Sequence, residues 1–237
     1  MLILKNADII NFYPPSVSHN TDVIIENGTI QNIGINIADN YHAEKVIELR
    51  DKYISPGIVC AHNHFYSVLA RGITANIQPS PDFISILKNL WWKLDKTLDE
   101  ETLYYSGLIG ALESIKAGTT SVIDHNASPS FIKGSLKTLE RSFEKTGLRG
   151  ILAYEITDRN GEDGMLLGIE ESFDFIKSLG TNNHSHLIEA AIGGHAPFTL
   201  SNKSLDLIAG IIEKVFIFML PKIIMILPIR ISFIQKT

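Results

Sequence analysis

The sequence predicts an α/β fold in which strand–helix units repeat around a parallel sheet. Strand-like runs begin near residues 119, 149, 188 and 215, roughly 27 to 39 residues apart, the spacing of strand–helix–strand crossovers. The apolar run Ile54–Ala61 lacks polar alternation, as expected of a strand buried on both faces. The polar residues that could carry chemistry, His62, His64, His125, Glu155 and His195, fall where strands are expected to end. In a (β/α)8 barrel that rim is where sites are built. A doubly wound open sheet shares much of the pattern, and periodicity does not separate the two.

At 237 residues the chain has room for one large α/β domain and a small appendage, and 45% hydrophobic content is ample for a core. A formal charge of −5 without a basic cluster argues against a nucleic-acid partner. The single cysteine, Cys60, leaves no internal disulfide and suits a reducing cytoplasm. MLILKNADII does not read as a secretory leader. No apolar run reaches the ~18–20 residues of a membrane-spanning helix. The expectation is a soluble cytoplasmic protein with no membrane partner.

Residues 1–52 read as short strands. Asp22–Glu26 and Thr29–Ile33 flank Asn27-Gly28, a pair suited to a tight turn with two positive φ angles, and Val46–Leu49 continues the strand character. After Ile54 comes a long insertion with Trp91 and Trp92, read as packing or interface residues. A helix is expected from about Asp99 to Lys116, with Gly118 beyond its end. A strand over Thr119–Asp124 ends at His125. Ser128 and Pro129 are read as the N-cap and first residue of a helix carrying Ile132, Leu136, Leu139 and Phe143, stopped by Gly147. Strand Arg149–Tyr154 and a helix from about Glu162 to Leu179 follow. Strand Leu187–Ile192 then leads into Gly193-Gly194-His195, with Ser201 capping the next helix.

The chemical signal is His62-Asn63-His64. On a strand, residues i and i+2 share a face about 6.6 Å apart along it. Two imidazoles leaving one face at a strand's end can converge on one cation at about 2.0–2.1 Å each. An isolated H-x-H is a weak signal; its place after a buried strand strengthens it. Glu155 reads as a residue of a solvated loop with Asp158 and Arg159, and His19, His42, His184 and His186 as solvated. The letters H-N-H also suggest a nuclease, but there the three residues are dispersed over a ββα unit, and the basic surface DNA requires is missing. No glycine-rich phosphate loop is present.

PGIVCAHNHF, LARG, GTTSVID and GHAPFTLS together resemble the metal-dependent amidohydrolase superfamily. The likeness is to its branch of hydrolytic deaminases and chlorohydrolases acting on nitrogen heterocycles, and H-N-H-F-Y-S is similar to the SsnA-type aminohydrolases. The similarity runs in order through about residue 214. It implies an amidohydrolase-type (β/α)8 TIM barrel of which 53–214 is about the first half. Residues 1–52 would supply strands of a small β-sandwich that also needs strands from the far C-terminus. By the same resemblance His62 and His64 are the first two ligands of one divalent metal ion, zinc or iron. Its water would attack an electrophilic ring carbon and displace ammonia. His195 corresponds to a substrate contact, and His125, at the same rim, is a second substrate-side candidate. The implied function is hydrolysis of a non-peptide C–N bond, deamination of a small aminated heterocycle. The rivals are a chlorohydrolase and a non-enzymatic remnant.

The family pattern also asks for a third metal histidine and a general-base glutamate in H-x-x-E, a further histidine and a metal-bound aspartate. No histidine follows His195 and no acidic residue follows Glu213. The base and that aspartate are therefore expected to be missing and the truncated chain inactive. Residues 215–237 form an apolar tail without glycine, interrupted by Pro221 and Pro228. Read from the third base of the Val215 codon, the same stretch permits H-I-H-V-A-E-D. The tail is accordingly read as a slipped frame, which the codons of the gene would decide. Half a barrel leaves open strand edges, so poor solubility or association into a homo-oligomer or with other chains is expected.

Overall fold

The computed structural model describes residues 1–73, 79–180, 186–210, 216–219 and 224–227. The chain divides into two units, Met1–Gly57 and Ile58–Thr237.

In the first unit β1 (Leu2–Phe12), β2 (Pro15–Glu26) and β3 (Thr29–Ile35) pair antiparallel in order. β4 (Lys45–Glu48) and β5 (Tyr53–Ile54) pair in parallel with β1. Asn27 and Gly28 take φ of 51° and 74°, the left-handed conformation that the hairpin turn demands. Ile3 and Ile24 oppose each other across β1 and β2 and form a small core with Ala38. Asp22 completes it by accepting from Asn6 N and Ala38 N, each at 3.0 Å.

The second unit is built on β6 (Ile58–Asn63), β7 (Thr119–Asn126), β8 (Arg149–Ile156), β10 (Ile192–Gly194) and β11 (Phe216–Met219), side by side and parallel. β9 (Ile188–Ala190) also pairs with β8, and β12 (Ile224–Leu227) returns antiparallel to β11. Strand order follows chain order without reversal. A doubly wound sheet would reverse at a switch point, so the winding is that of a barrel.

Between β6 and β7 lie α1 (Phe83–Ile86), a π-helical turn over Leu87–Trp91, α2 (Trp92–Leu94) and α3 (Glu100–Lys116). α4 (Ser135–Thr146), α5 (Gly161–Leu179) and α6 (Asn202–Ala209) follow the next strands. Asp99 caps α3 reciprocally: its Oδ1 accepts from Thr102 N at 2.8 Å while Thr102 Oγ1 accepts from Asp99 N at 2.9 Å. Leu103, Leu136, Leu139, Phe143 and Leu152 are fully buried between these helices and the sheet. Gly193 is required where β10 meets β8, because a Cβ there would lie 2.5 Å from the Tyr154 carbonyl oxygen. No helix among the described residues is long and apolar enough to cross a membrane.

The structure departs from sequence expectation at four places. The run Ile54–Ala61 is split across Pro56-Gly57, with β5 ending before and β6 beginning after. β6 has one neighbour in the sheet, which leaves Ile58 and Val59 58% and 62% exposed rather than buried on both faces. Ser128 does not cap α4; it donates to the Phe131 carbonyl at 2.8 Å, and α4 starts only after Gly134. The donors at that end are taken by Glu171 of α5, whose Oε2 accepts from Gly134 N at 2.7 Å and Oε1 from Leu136 N at 2.9 Å. The expected strand ending at Ile192 is broken at Ala191 into β9 and β10. The apolar tail supplies β11 and β12, its other residues lying outside those described, as does His184.

Candidate metal and substrate site

His62 is the penultimate residue of β6, His64 follows the strand, and their Nε2 atoms lie 3.0 Å apart. The rings meet edge to face with centroids 4.6 Å apart. Nδ1 of His64 is 3.1 Å from the His125 carbonyl oxygen and 3.2 Å from Glu155 Oε1. Both neighbours are acceptors, which assigns the proton to Nδ1 and leaves Nε2 bare. Two nitrogens sharing one ion at about 2.0–2.1 Å, near a right angle, would stand about 3 Å apart. The pair therefore fits a divalent ion. Burial, then the neighbouring His64, pushes the His62 pKa down to about 4, and burial lowers that of His64 despite the His125 carbonyl. Both rings are thus neutral at pH 7, the form that ligates metal. Nδ1 of His62 is buried without a hydrogen-bond partner. Among the described residues no cluster of three or more His, Cys, Asp or Glu side chains is arranged to hold an ion; the pair by itself offers two donor nitrogens.

The other rim residues come from successive strands. His125 from β7 is fully buried, its ring centroid 5.0 Å from that of His62, and both its nitrogens lack partners. Burial, then His64 and His62, drives its pKa down to about 3. Glu155 from β8 is 2% exposed, with Oε2 3.8 Å from His195 Nε2. Burial raises its pKa against the opposing pull of His195 and Arg159. His195 follows β10, its Nδ1 held 2.8 Å from Thr199 Oγ1.

A cavity of about 300 Å³ opens over this rim. His62, His64, Glu155 and His195 line its polar side, with Asp95 and Arg159; Phe83, Leu87, Trp91 and Trp92 form an apolar wall. Trp91 and Trp92, expected to be packing or interface residues, are cavity wall. Arg159 pairs with Asp95 and stacks 5.3 Å from the Trp92 ring centroid, while its Nε and Nη1 and Asp95 Oδ1 keep no partner. His195 lines the cavity; His125 is not among its lining residues and meets the site through its backbone carbonyl. Glu155 is corrected from a solvated loop to a buried strand residue, because β8 continues through Ile156. Asp95 and Arg159 carry no signal in the sequence: they are far apart along the chain and meet only in the fold.

Residues 53–215 match the amidohydrolase family. The 5-methylthioadenosine/S-adenosylhomocysteine deaminase of Thermococcus sibiricus is 31% identical over 205 residues, which is 86% of this chain and 45% of that protein. The 5'-deoxyadenosine deaminase of Methanocaldococcus jannaschii is 28% identical over 193 residues, 81% of this chain and 43% of that one. Among solved structures, atrazine chlorohydrolase TrzN from Arthrobacter aurescens complexed with zinc aligns with a TM-score of 0.72 at 16% identity, over 91% of this chain and 52% of that one. A Xanthomonas campestris adenosine deaminase with bound zinc aligns at 0.73 and 19%, over 88% and 46%. The chain thus spans about 45% of the length of such a curated relative, and its fold is that of the corresponding part of an amidohydrolase TIM barrel.

Proposed function

The chain belongs to the amidohydrolase family, and from that membership we propose that it carries the metal-gripping part of a site hydrolysing a non-peptide C–N bond, the deamination of a small aminated nitrogen heterocycle. The observation that carries this reading is the 3.0 Å approach of His62 and His64 Nε2 beside a cavity of about 300 Å³. The names of the relatives, deaminases of adenosine-type compounds, support the substrate class.

His62 and His64 would hold one divalent ion, zinc in the first instance and iron in the second. Such an ion would supply Lewis acidity and lower the pKa of water. Trp91 and Trp92 give a planar heterocycle an apolar wall and exclude water from it. His195, fixed through Thr199, is the proposed substrate contact. For His125 the expected substrate contact gives way to support of His64 through its carbonyl. The further ligands and the general base are assigned to the part of the relatives' length that this chain does not span.

The test is metal content and product release by the purified chain over a panel of aminated and chlorinated heterocycles. Metal uptake without product is the result expected of a chain that lacks the base and the further ligands. Ammonia release would add the reaction itself, chloride release alone replaces deamination, and a chain that takes up no metal overturns the reading.

A further inference from the structure

Glu155 is a carboxylate with 2% exposure, placed between two rings of the cavity: Oε1 lies 3.2 Å from His64 Nδ1 and Oε2 3.8 Å from His195 Nε2. The N–H of His64 is directed at the His125 carbonyl, so Oε1 stands beside that bond without a hydrogen-bond partner of its own. The carbonyl already fixes the tautomer of His64. What the carboxylate can add, when a cation arrives beside it, is negative charge.

A buried charge without a partner is costly, and a cation beside it offsets that cost. Arg159 is committed to Asp95, and the pair His62–His64 brings two neutral rings and no charge to an incoming dication. We infer that Glu155 is a positioning residue that tunes the two-histidine centre electrostatically, strengthening His64 Nε2 as a ligand and compensating part of a bound divalent cation's charge. This rests on the metal reading above and deepens it. Outer partners of ligating histidines commonly change metal affinity by about 10–100-fold.

The test is Glu155→Gln, which keeps the shape and removes the charge, with zinc affinity of the purified chain read by chelator competition and melting of the metal-free chain read in parallel. The expected result has opposite signs: zinc binds at least ~10-fold more weakly, while the metal-free chain melts at the same temperature or higher. Unchanged zinc affinity overturns the proposal. A variant that melts lower, or does not fold, gives Glu155 a packing role and overturns it too. In a His64→Ala background the further loss from E155Q should shrink, because the part that acts through His64 is gone while charge compensation stays; an undiminished loss overturns the part assigned to His64. If the unaltered chain takes up no zinc, the metal reading itself fails, an outcome distinct from all of these.

Discussion

Nδ1 of His64 donates to the carbonyl oxygen of His125 at 3.1 Å, tying the end of β6 to the neighbouring strand β7. The bond turns the bare Nε2 toward His62 and leaves the two nitrogens poised as a pair. Replacing either ring by alanine should weaken zinc binding by more than the ~10–100-fold typical of outer-shell changes. Competition with a chromogenic chelator reads this directly, and two variants that bind as the unaltered chain does would sink the pairing.

The amino terminus of α4 depends on another element for its cap. Glu171→Ala removes the acceptor of both Gly134 N and Leu136 N inside the fold. The expected cost is about 1–2 kcal/mol in urea unfolding. Glu171→Gln, which keeps one acceptor, should cost less; equal losses would mean that packing rather than hydrogen bonding is at stake.

Asp124 titrates in an unusual place. It is fully buried, its Oδ1 accepts from Phe65 N at 2.7 Å, and burial raises its pKa to about 7 in spite of that bond. The unfolded carboxyl ionises near its ordinary 3.8. The folded state therefore holds the proton over the interval between, and stability falls as pH rises from about 4 to about 7, then levels off. Asp124→Asn lacks this penalty while keeping an acceptor for Phe65. Its advantage over the unaltered chain should grow across that window to a few kcal/mol, on the order of 1.4 per pH unit. A constant difference from pH 4 to 8 would refute the assignment.

Gly193 permits β10 to lie against β8. A methyl group there meets backbone, not a movable side chain. Gly193→Ala should destabilise the second unit by about 1–3 kcal/mol, with exchange protection of the Glu155–Gly193 pairing lost first. Unchanged protection would show that the strands can separate without penalty.

Much of this was legible in the sequence because it is local. The i, i+2 spacing of His62 and His64 fixes a shared face, Asn27-Gly28 fixes a turn, and Ser201 caps α6 by accepting from Ser204 N as its position suggested. What was not legible is set by distant partners. Ser128-Pro129 carries a sound local cap signal, yet Glu171, reached only through α5, takes the donors. Glu155 reads as loop beside Asp158 and Arg159, but pairing of Glu155 and Ile156 with β10 prolongs β8 past it. The union of Asp95 with Arg159 joins an insertion to a loop after β8, and no local pattern announces it.

The order in which the parallel strands lie has a consequence for assembly during synthesis. From β6 onward each new parallel strand adds beside one already made, with a helix in the connection that leads to it. A polypeptide emerging from the ribosome can zip this sheet up in a single direction, never waiting for a later segment to slot between earlier ones. The two imidazoles of the proposed metal pair, at the end of the first of those strands, are laid down before the wall that will enclose them.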